Sequence, residues 1–146
     1  MKTKSSVAYL LDASALIPLL WPAHEAHALV LRWFGGHGSQ GWATCPFTQA
    51  AFVRLTSNPA FSRDAIAPQE ALRVLEANLE HPAHRFWPDD IPFAEAARIL
   101  RQRLTGHQQI TDAYLVGLAI HNRGKLATMD RGIVQIAPPG SVELIS

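Results

Sequence analysis

Residues 7–20 read VAYLLDASALIPLL: an apolar run, one aspartate, and a second apolar stretch. A continuous apolar run of five residues is typical of a strand that is covered on both faces of a sheet. We therefore predict a strand over residues 7–11 and a short helix over residues 14–20, which Pro22 ends. Asp12 directly follows this strand, at the point where the chain leaves the sheet.

Short apolar strands and amphipathic helices alternate along the rest of the chain. The sequence predicts further strands over residues 42–45, 84–87, 125–129 and 142–145. It predicts further helices over residues 24–34, 48–56, 67–80, 93–104 and 111–121, and a glycine-rich loop over residues 35–41. This alternation favours one α/β domain over residues 1–146, with a mainly parallel sheet whose binding sites lie at the carboxyl ends of the strands.

The composition fits a folded domain and excludes several classes of protein. Of the 146 residues, 48% are hydrophobic and 17% are charged, which is enough apolar surface to form a core. The net charge of +1 produces no strongly basic or acidic field that would identify a partner. The single cysteine, Cys45, excludes a disulfide scaffold and a cysteine-rich zinc module, and it fits a reducing, cytoplasmic setting.

The N-terminus superficially resembles a signal peptide, because Lys2 and Lys4 precede an apolar stretch over residues 7–21. Asp12 lies in the middle of that stretch and Pro18 interrupts it, and a charge at the centre of an inserted segment is costly. No later window offers about 18 uninterrupted apolar residues. We therefore expect a cytoplasmic protein without a membrane span.

Three aspartates occupy matching places in this pattern. Asp12 follows the first predicted strand, Asp130 follows the strand over residues 125–129, and Asp112 begins the helix over residues 111–121. The carboxyl ends of parallel strands meet at one edge of a sheet, so the three side chains can converge there. A carboxylate so close to a core is costly unless it is paired or binds a cation, and no Lys or Arg is its obvious partner. A Mg2+ or Mn2+ ion is the simplest solution, since these ions prefer carboxylate and water oxygens.

Each aspartate also has an ordinary structural explanation. Asp12 and Asp112 could be acids that stabilise helix N-termini. Asp130 could be a turn residue before Gly132 that pairs with Arg131. Taken singly, each of these roles explains the residue at least as well as metal binding does, whereas three acids at matching positions favour a shared site. The spacing alone leaves both explanations open.

Several other polar side chains lie close to these aspartates along the sequence. Ser14, Thr111 and Thr128 could hydrogen-bond a carboxylate or a metal-bound water. Ser14 and Thr111 also suit helix N-caps, and Thr128 could simply be packed in its strand. Arg54, in the predicted helix over residues 48–56, and Arg131 could bind phosphate or could lie on solvated or salt-bridged faces.

Four stretches of the sequence carry a resemblance to a known family. They are LLDASAL at residues 10–16, TCPFTQAAFVRLTSN at 44–58, QITDAYLVGLA at 109–119 and LATMDRG at 126–132. Together they resemble the PIN domain, and specifically the VapC-type toxins of toxin–antitoxin pairs. The resemblance implies a three-layer α/β/α sandwich around a mainly parallel sheet, and a Mg2+- or Mn2+-dependent endoribonuclease that acts on RNA. It also implies a cognate VapB-like antitoxin and a homodimer.

The resemblance also implies roles for individual residues. Asp12, Asp112 and Asp130 match three acidic positions of the family, as metal ligands and catalytic residues. Many members have a further catalytic glutamate on the helix after the second strand, where this chain has Gln49. Glutamine can offer its oxygen to a metal, but it brings no charge and cannot act as a base. We therefore expect one firmly held metal ion, with a second that could arrive with the substrate phosphate, and we predict that Gln49→Glu raises the metal affinity.

The departure at Gln49 keeps a second function open, namely a catalytically weak PIN-like module that binds RNA or a protein partner without cleaving it. A third class consists of hydrolases of small phosphate esters. Haloacid-dehalogenase-like members of that class need a second aspartate two residues after the first, where this chain has Ser14. No glycine-rich phosphate loop is present either. The function we predict is therefore the metal-dependent ribonuclease.

Overall fold

The structure, a computed structural model, describes residues 7–146. Lys2 and Lys4, on which the resemblance to a signal peptide depends, lie outside the described residues. Five parallel strands form one sheet in the spatial order β3-β2-β1-β4-β5. The strands are β1 Tyr9–Leu11, β2 Trp42–Thr44, β3 His84–Phe86, β4 Lys125–Thr128 and β5 Val142–Leu144.

The strand order reverses at β1, which lies in the middle of the sheet. From β1 the chain builds outward to β2 and β3, and it then returns to add β4 on the other side of β1. Register pairs Tyr9 with Trp42 on one side and with Lys125 on the other. In sheets of this kind a crevice opens at the carboxyl ends of the two strands where the order reverses. Here those strands are β1 and β4, so the topology alone places a cleft beyond Leu11 and Thr128.

Seven helices cover the sheet in residues 7–146, and none of them is long and apolar enough to cross a membrane. The helices are α1 Ala13–Leu20, α2 His27–His37, α3 Pro46–Thr56, α4 Pro68–Leu79, α5 Phe93–Ala97, α6 Ile110–His121 and α7 Arg131–Ile136. A 3₁₀ turn over Arg98–Arg103 extends α5, and another over His107–Gln109 precedes α6.

The core lies on both faces of the sheet because successive strand side chains point in opposite directions. Leu10 packs in a cluster with the apolar residues of α6, including Val116. Tyr9 and Leu11 pack in a second cluster, with α1 to α4. Two helical layers therefore enclose the sheet, and the predicted α/β/α sandwich is confirmed.

One helix pair packs unusually closely. A Cβ atom on Gly117 of α6 would lie 2.0 Å from the carbonyl oxygen of Ala96 in α5. Only glycine allows the two backbones to approach this far, so this residue fixes how α6 lies on the sheet. The position of α6 matters because Asp112 lies in its first turn.

Two predicted helices were wrong in part, and one helix was not predicted. The helix predicted over residues 24–34 begins at His27 and continues to His37, through two glycines of the predicted loop. His37 Nδ1 lies 2.8 Å from the carbonyl oxygen of Trp33, and the two rings stack, which holds the last turn in place. The helix predicted over residues 93–104 narrows to a 3₁₀ turn after Ala97. Helix α7 was not predicted, since Arg131–Ile136 is too short to show a helical period.

Candidate active site

A pocket of about 250 Å³ opens at the carboxyl edge of the sheet, where the strand order reverses. Its lining includes all three aspartates singled out by the sequence, Asp12, Asp112 and Asp130. They come from three separate segments: Asp12 follows β1, Asp130 follows β4, and Asp112 lies on α6. Folding therefore brings together carboxylates that lie between 18 and 118 residues apart along the chain.

Asp12 is the most firmly held of the three acids. It is buried, with 5% of its surface exposed, and it caps the N-terminus of α1. Its Oδ1 accepts hydrogen bonds from the Ala15 amide at 3.1 Å and the Ser14 hydroxyl at 2.6 Å, and its Oδ2 accepts from the Thr128 hydroxyl. Burial raises the pKa of Asp12, while these hydrogen bonds oppose the shift. The carboxylate is thus oriented by donors that favour its charged form.

Two of the hydroxyl groups named from the sequence contact Asp12. Ser14 is not a helix cap, because Asp12 caps α1, and the Ser14 hydroxyl bonds the Asp12 carboxylate instead. Ser14 Oγ also accepts from the amide of Met129 at 3.0 Å. Thr128 is fully buried, donates to Asp12 and accepts from the Asp130 amide at 3.0 Å. Thr128 therefore links two of the acidic segments.

Asp112 differs from Asp12 because no hydrogen bond or ion pair within residues 7–146 reaches its carboxylate. Burial and the negative charges of Asp12 and Asp130 raise its pKa from 3.8 to about 6. The three acids therefore lie close enough to repel one another, and no salt bridge within residues 7–146 compensates them. Thr111, beside it, lines the pocket but is not the N-cap, because α6 already begins at Ile110.

Asp130 has an ordinary structural role as well as its place in the pocket. It caps the N-terminus of α7, where its Oδ1 accepts from the Gly132 amide at 2.8 Å. It makes no ion pair with Arg131 in the part of the chain that the structure describes, so the expected pairing is absent there. Arg131 is exposed and does not line the pocket.

Gln49 is not brought to the pocket. Its side-chain amide donates to Thr44 Oγ1 at 2.9 Å, and Thr44 Oγ1 lies 2.7 Å from His84 Nε2. Burial lowers the pKa of His84 and so favours its neutral ring. Nε2 of this ring can therefore accept a hydrogen bond from the Thr44 hydroxyl, while Thr44 Oγ1 accepts a hydrogen bond from Gln49. We call these three side chains the neutral network. Gln49 belongs to it rather than to the acids because its amide donor is satisfied there.

Helix α3 instead supplies the wall of the pocket from other positions. Thr48, Ala51 and Leu55 line the pocket, and they recur at intervals of three and four residues along one helical face. Phe47 lines it as well and is 45% exposed. The sequence reasoning missed these residues, and their spacing of three and four residues from one another was the signal that could have found them.

Arg54 is the basic residue of the pocket lining, and its side chain is exposed. Both ion pairs found within residues 7–146 involve histidines, His37 with Glu143 and His121 with Asp90, so Arg54 is not salt-bridged there. A guanidinium without an anionic partner beside a cluster of carboxylates is suited to bind a phosphate group.

The donor set of the pocket fits a hard divalent cation. Carboxylate oxygens are the ligands that Mg2+ and Mn2+ prefer, and a cation would relieve the repulsion that raises the pKa of Asp112. Within residues 7–146, however, no three His, Cys, Asp or Glu side chains are already arranged to hold a metal ion. Because Ser14, Ala15 and Thr128 already hold the Asp12 carboxylate, metal binding requires Asp112 and Asp130 to adjust towards it.

Comparison with known proteins gives matches over nearly the whole chain. The model of the PIN domain family matches residues 9–138. Ribonuclease VapC39 of Mycobacterium tuberculosis is 38% identical over 136 residues, which cover 93% of this chain and 98% of the relative. Ribonuclease VapC38 of the same species is 39% identical over 140 residues, which cover 94% of this chain and 97% of the relative.

Solved structures share the fold. The Pyrobaculum aerophilum protein PAE2754 superimposes with a TM-score of 0.62 at 25% identity, covering 94% of this chain and 83% of its own. VapBC2 from Rickettsia felis, crystallised on a DNA fragment from its promoter, gives a TM-score of 0.64 at 13% identity, covering 95% of this chain and 99% of the matched one. At these identities the agreement concerns the arrangement of strands and helices around the pocket.

Proposed function

The chain belongs to the PIN-domain family, and from that premise we propose that it is the toxin of a toxin–antitoxin pair, an endoribonuclease that hydrolyses RNA phosphodiester bonds. Its relatives at 38% and 39% identity are ribonucleases of the VapC type, and the match covers nearly their full length. The observation that carries the proposal is the pocket in which Asp12, Asp112 and Asp130 meet and in which none of them forms a salt bridge within residues 7–146.

We propose Mg2+ or Mn2+ as the cofactor, held by the three aspartates. When bound, such an ion activates water as a nucleophile and offsets negative charge on the phosphate. Asp12 contributes a carboxylate that Ser14 and Thr128 have already oriented, so little entropy is lost when it binds. Asp112 contributes charge whose repulsion is relieved on binding, which favours occupation of the site.

The substrate phosphate is proposed to lie against Arg54. This side chain lines the pocket and has no salt-bridge partner within residues 7–146. It can therefore donate two parallel hydrogen bonds to phosphate oxygens. The charge balance agrees with a polyanionic substrate. Of 12 acidic residues, three are assigned to the metal, which leaves nine against 13 basic residues on the rest of the chain.

Cleavage of RNA by the purified chain tests the proposal. We expect cleavage with Mg2+ or Mn2+, loss of cleavage in EDTA, and recovery when the metal is restored. Asp12→Asn should lower the rate on the order of 10²- to 10³-fold, as removal of a group that stabilises the transition state does. Asp90→Asn is the matched control, because Asp90 is an exposed acid whose one ion pair within residues 7–146 is with His121.

Two outcomes would contradict the proposal. Cleavage that survives EDTA would exclude the metal mechanism. Binding of RNA without cleavage at any metal concentration would show that the chain is the non-cleaving module.

We also propose a VapB-like antitoxin and a homodimer as assembly partners. The proposal follows from the family, in which toxins of this type are neutralised by a cognate antitoxin. Co-expression with the product of a small neighbouring gene should give a complex that no longer cleaves RNA, measured with the same substrate. Sedimentation of the chain alone should give twice the mass of 16.0 kDa, and a monomer at micromolar concentration would refute the dimer.

A further inference from the structure

A second cavity, of about 400 Å³, adjoins the acid pocket. The two share Ala13, Ser14 and Leu55 as a common wall. The rest of the second cavity is lined mainly by apolar side chains, namely Ile17, Pro18, His24, Phe61 and Met129. Its volume lies within the range of small-ligand sites. A group bound in it is therefore next to a phosphate bound at the acids.

Phe61 presents an aromatic ring at this cavity. The side chain is 50% exposed and lies on a hydrogen-bonded turn. The Phe61 amide donates to the carbonyl oxygen of Asn58 at 3.0 Å, and the Asn58 side chain accepts from the Ala60 amide at 2.9 Å. An exposed ring on a fixed turn loses little conformational entropy when a planar group stacks on it.

His24 provides a hydrogen-bond donor in the same cavity. Its Nδ1 accepts from the Ala26 amide at 3.0 Å, so the proton of the neutral ring is on Nε2. In the part of the chain that the structure describes, no hydrogen bond is made by Nε2. This N–H is thus available to an acceptor atom on the edge of a planar ligand.

An arginine lies on each side of the cavity. Arg54 lines the acid pocket, and Arg63 lines, together with Glu25 and Asp64, a third cavity of about 480 Å³ that shares Ile17, His24 and Phe61 with the second one. Neither arginine belongs to an ion pair within residues 7–146. Arg54 can therefore bind a phosphate at the acid pocket while the planar group attached to that phosphate enters the apolar cavity.

We propose that the second cavity is a nucleobase subsite of the enzyme. It takes the base of a nucleotide next to the phosphate that is cleaved, with Phe61 stacking on the base and His24 Nε2 donating to its edge. This inference rests on the proposed cleavage of RNA. It implies that the base of this nucleotide is unpaired and unstacked when bound, which costs least where the RNA is already single-stranded.

The test combines substitutions of Phe61 with abasic RNA. Single-stranded oligonucleotides that span a mapped cleavage site would carry one abasic residue at each position in turn. For the unaltered chain we expect one position next to the cleaved bond where base removal lowers kcat/KM about 10- to 100-fold, the usual effect of losing one stacked base. Phe61→Ala should lower kcat/KM by a similar factor, and it should lose most of the penalty at that position, since the two changes remove the same contact.

Two further variants separate stacking from folding and from general apolar contact. Phe61→Leu keeps an apolar side chain without a flat ring and should behave like Phe61→Ala. Phe61→Trp keeps a flat ring and should cleave RNA like the unaltered chain. Phe86→Ala is the matched control, because Phe86 is 51% exposed on the edge strand β3 and lines none of these three cavities. Thermal unfolding of each variant verifies that it is folded.

Each way in which the proposed nucleobase subsite can fail gives a different experimental result. If the unaltered chain cleaves RNA but tolerates an abasic residue at every position, the subsite is refuted and the ribonuclease stands. If Phe61→Ala leaves cleavage unchanged but weakens binding of a co-purified antitoxin, the cavity is a protein-docking site, which also refutes the subsite. If the chain cleaves no RNA, quenching of 2-aminopurine in a bound oligonucleotide still tests stacking, and equal quenching by Phe61→Ala refutes it.

Discussion

The polar side chains at the carboxyl edge of the sheet are charged in one half and neutral in the other. Beside β1 and β4, three carboxylates share a pocket, and burial together with the charges of Asp12 and Asp130 raises the pKa of Asp112. Beside β2 and β3, in the neutral network, Gln49 donates to Thr44 and Thr44 pairs with His84. The neutral network holds no charge, whereas the three acids form no salt bridge within residues 7–146. The difference shows which half can perform chemistry and which half supports the fold.

The largest effect is expected from a matched pair of threonine substitutions, one in each half. Thr128 and Thr44 are both fully buried, at the ends of β4 and β2, which lie on either side of β1. Thr128→Val removes the hydroxyl that joins Asp12 to the Asp130 segment, so we expect metal affinity and cleavage to fall about 10- to 100-fold. Metal titration by calorimetry and cleavage rates would measure this.

Thr44→Val is the counterpart in the neutral network. It leaves Gln49 and His84 without their shared partner, which should lower the free energy of unfolding by about 1–3 kcal/mol. Cleavage by the folded fraction should change little. If Thr44→Val reduces metal affinity as much as Thr128→Val does, the two halves are not functionally distinct.

A smaller effect is expected from the pH dependence of the metal-free protein. Because the pKa of Asp112 is about 6 in the folded chain and 3.8 ordinarily, the folded state holds this proton more tightly than the unfolded state. Its contribution to stability is therefore present below about pH 4 and is lost as the pH rises through 6. Asp12, whose pKa is also raised, acts in the same direction.

Asp112→Asn should remove this part of the pH dependence. The side chain is only half-buried, so solvent screening limits the expected gain to about 1 kcal/mol at pH 7.5. In a domain of this size that corresponds to a rise in Tm of roughly 2–4 °C, measured in EDTA across pH 4.5 to 8. A lower Tm for the variant at pH 7.5 would mean that Asp112 is compensated in the free protein.

The smallest effect is expected at Gln49. The sequence alone predicts that Gln49→Glu raises the metal affinity, but in the structure the Gln49 amide donates to Thr44, and a glutamate cannot donate there. We now expect the metal affinity to change less than about threefold and the free energy of unfolding to fall by about 1 kcal/mol. A clear rise in metal affinity by calorimetry would place Gln49 with the acids and would erase the contrast between the two halves.

Some features of the site follow from local sequence. An apolar run followed by an aspartate predicts β1 and Asp12, and the same pattern predicts β4 and Asp130. Once the strands are taken as parallel, their carboxyl ends must share one edge, so the meeting of these acids follows from topology. Strand period, helical period and proline positions are properties of neighbouring residues, which a single sequence displays directly.

Tertiary structure alone decided the contacts between distant segments. Thr128 bonds Asp12 across 116 positions of sequence, and Thr44 meets His84 across 40. Helix α2 continues through its glycines because Trp33 and His37 hold its end, although glycine by itself disfavours a helix. Such contacts depend on which side chains folding places within hydrogen-bond distance. Residue type and spacing predicted Thr128 and Gln49 as candidate site residues. Only the packed fold decided that Thr128 contacts the acids and that Gln49 belongs to the neutral network.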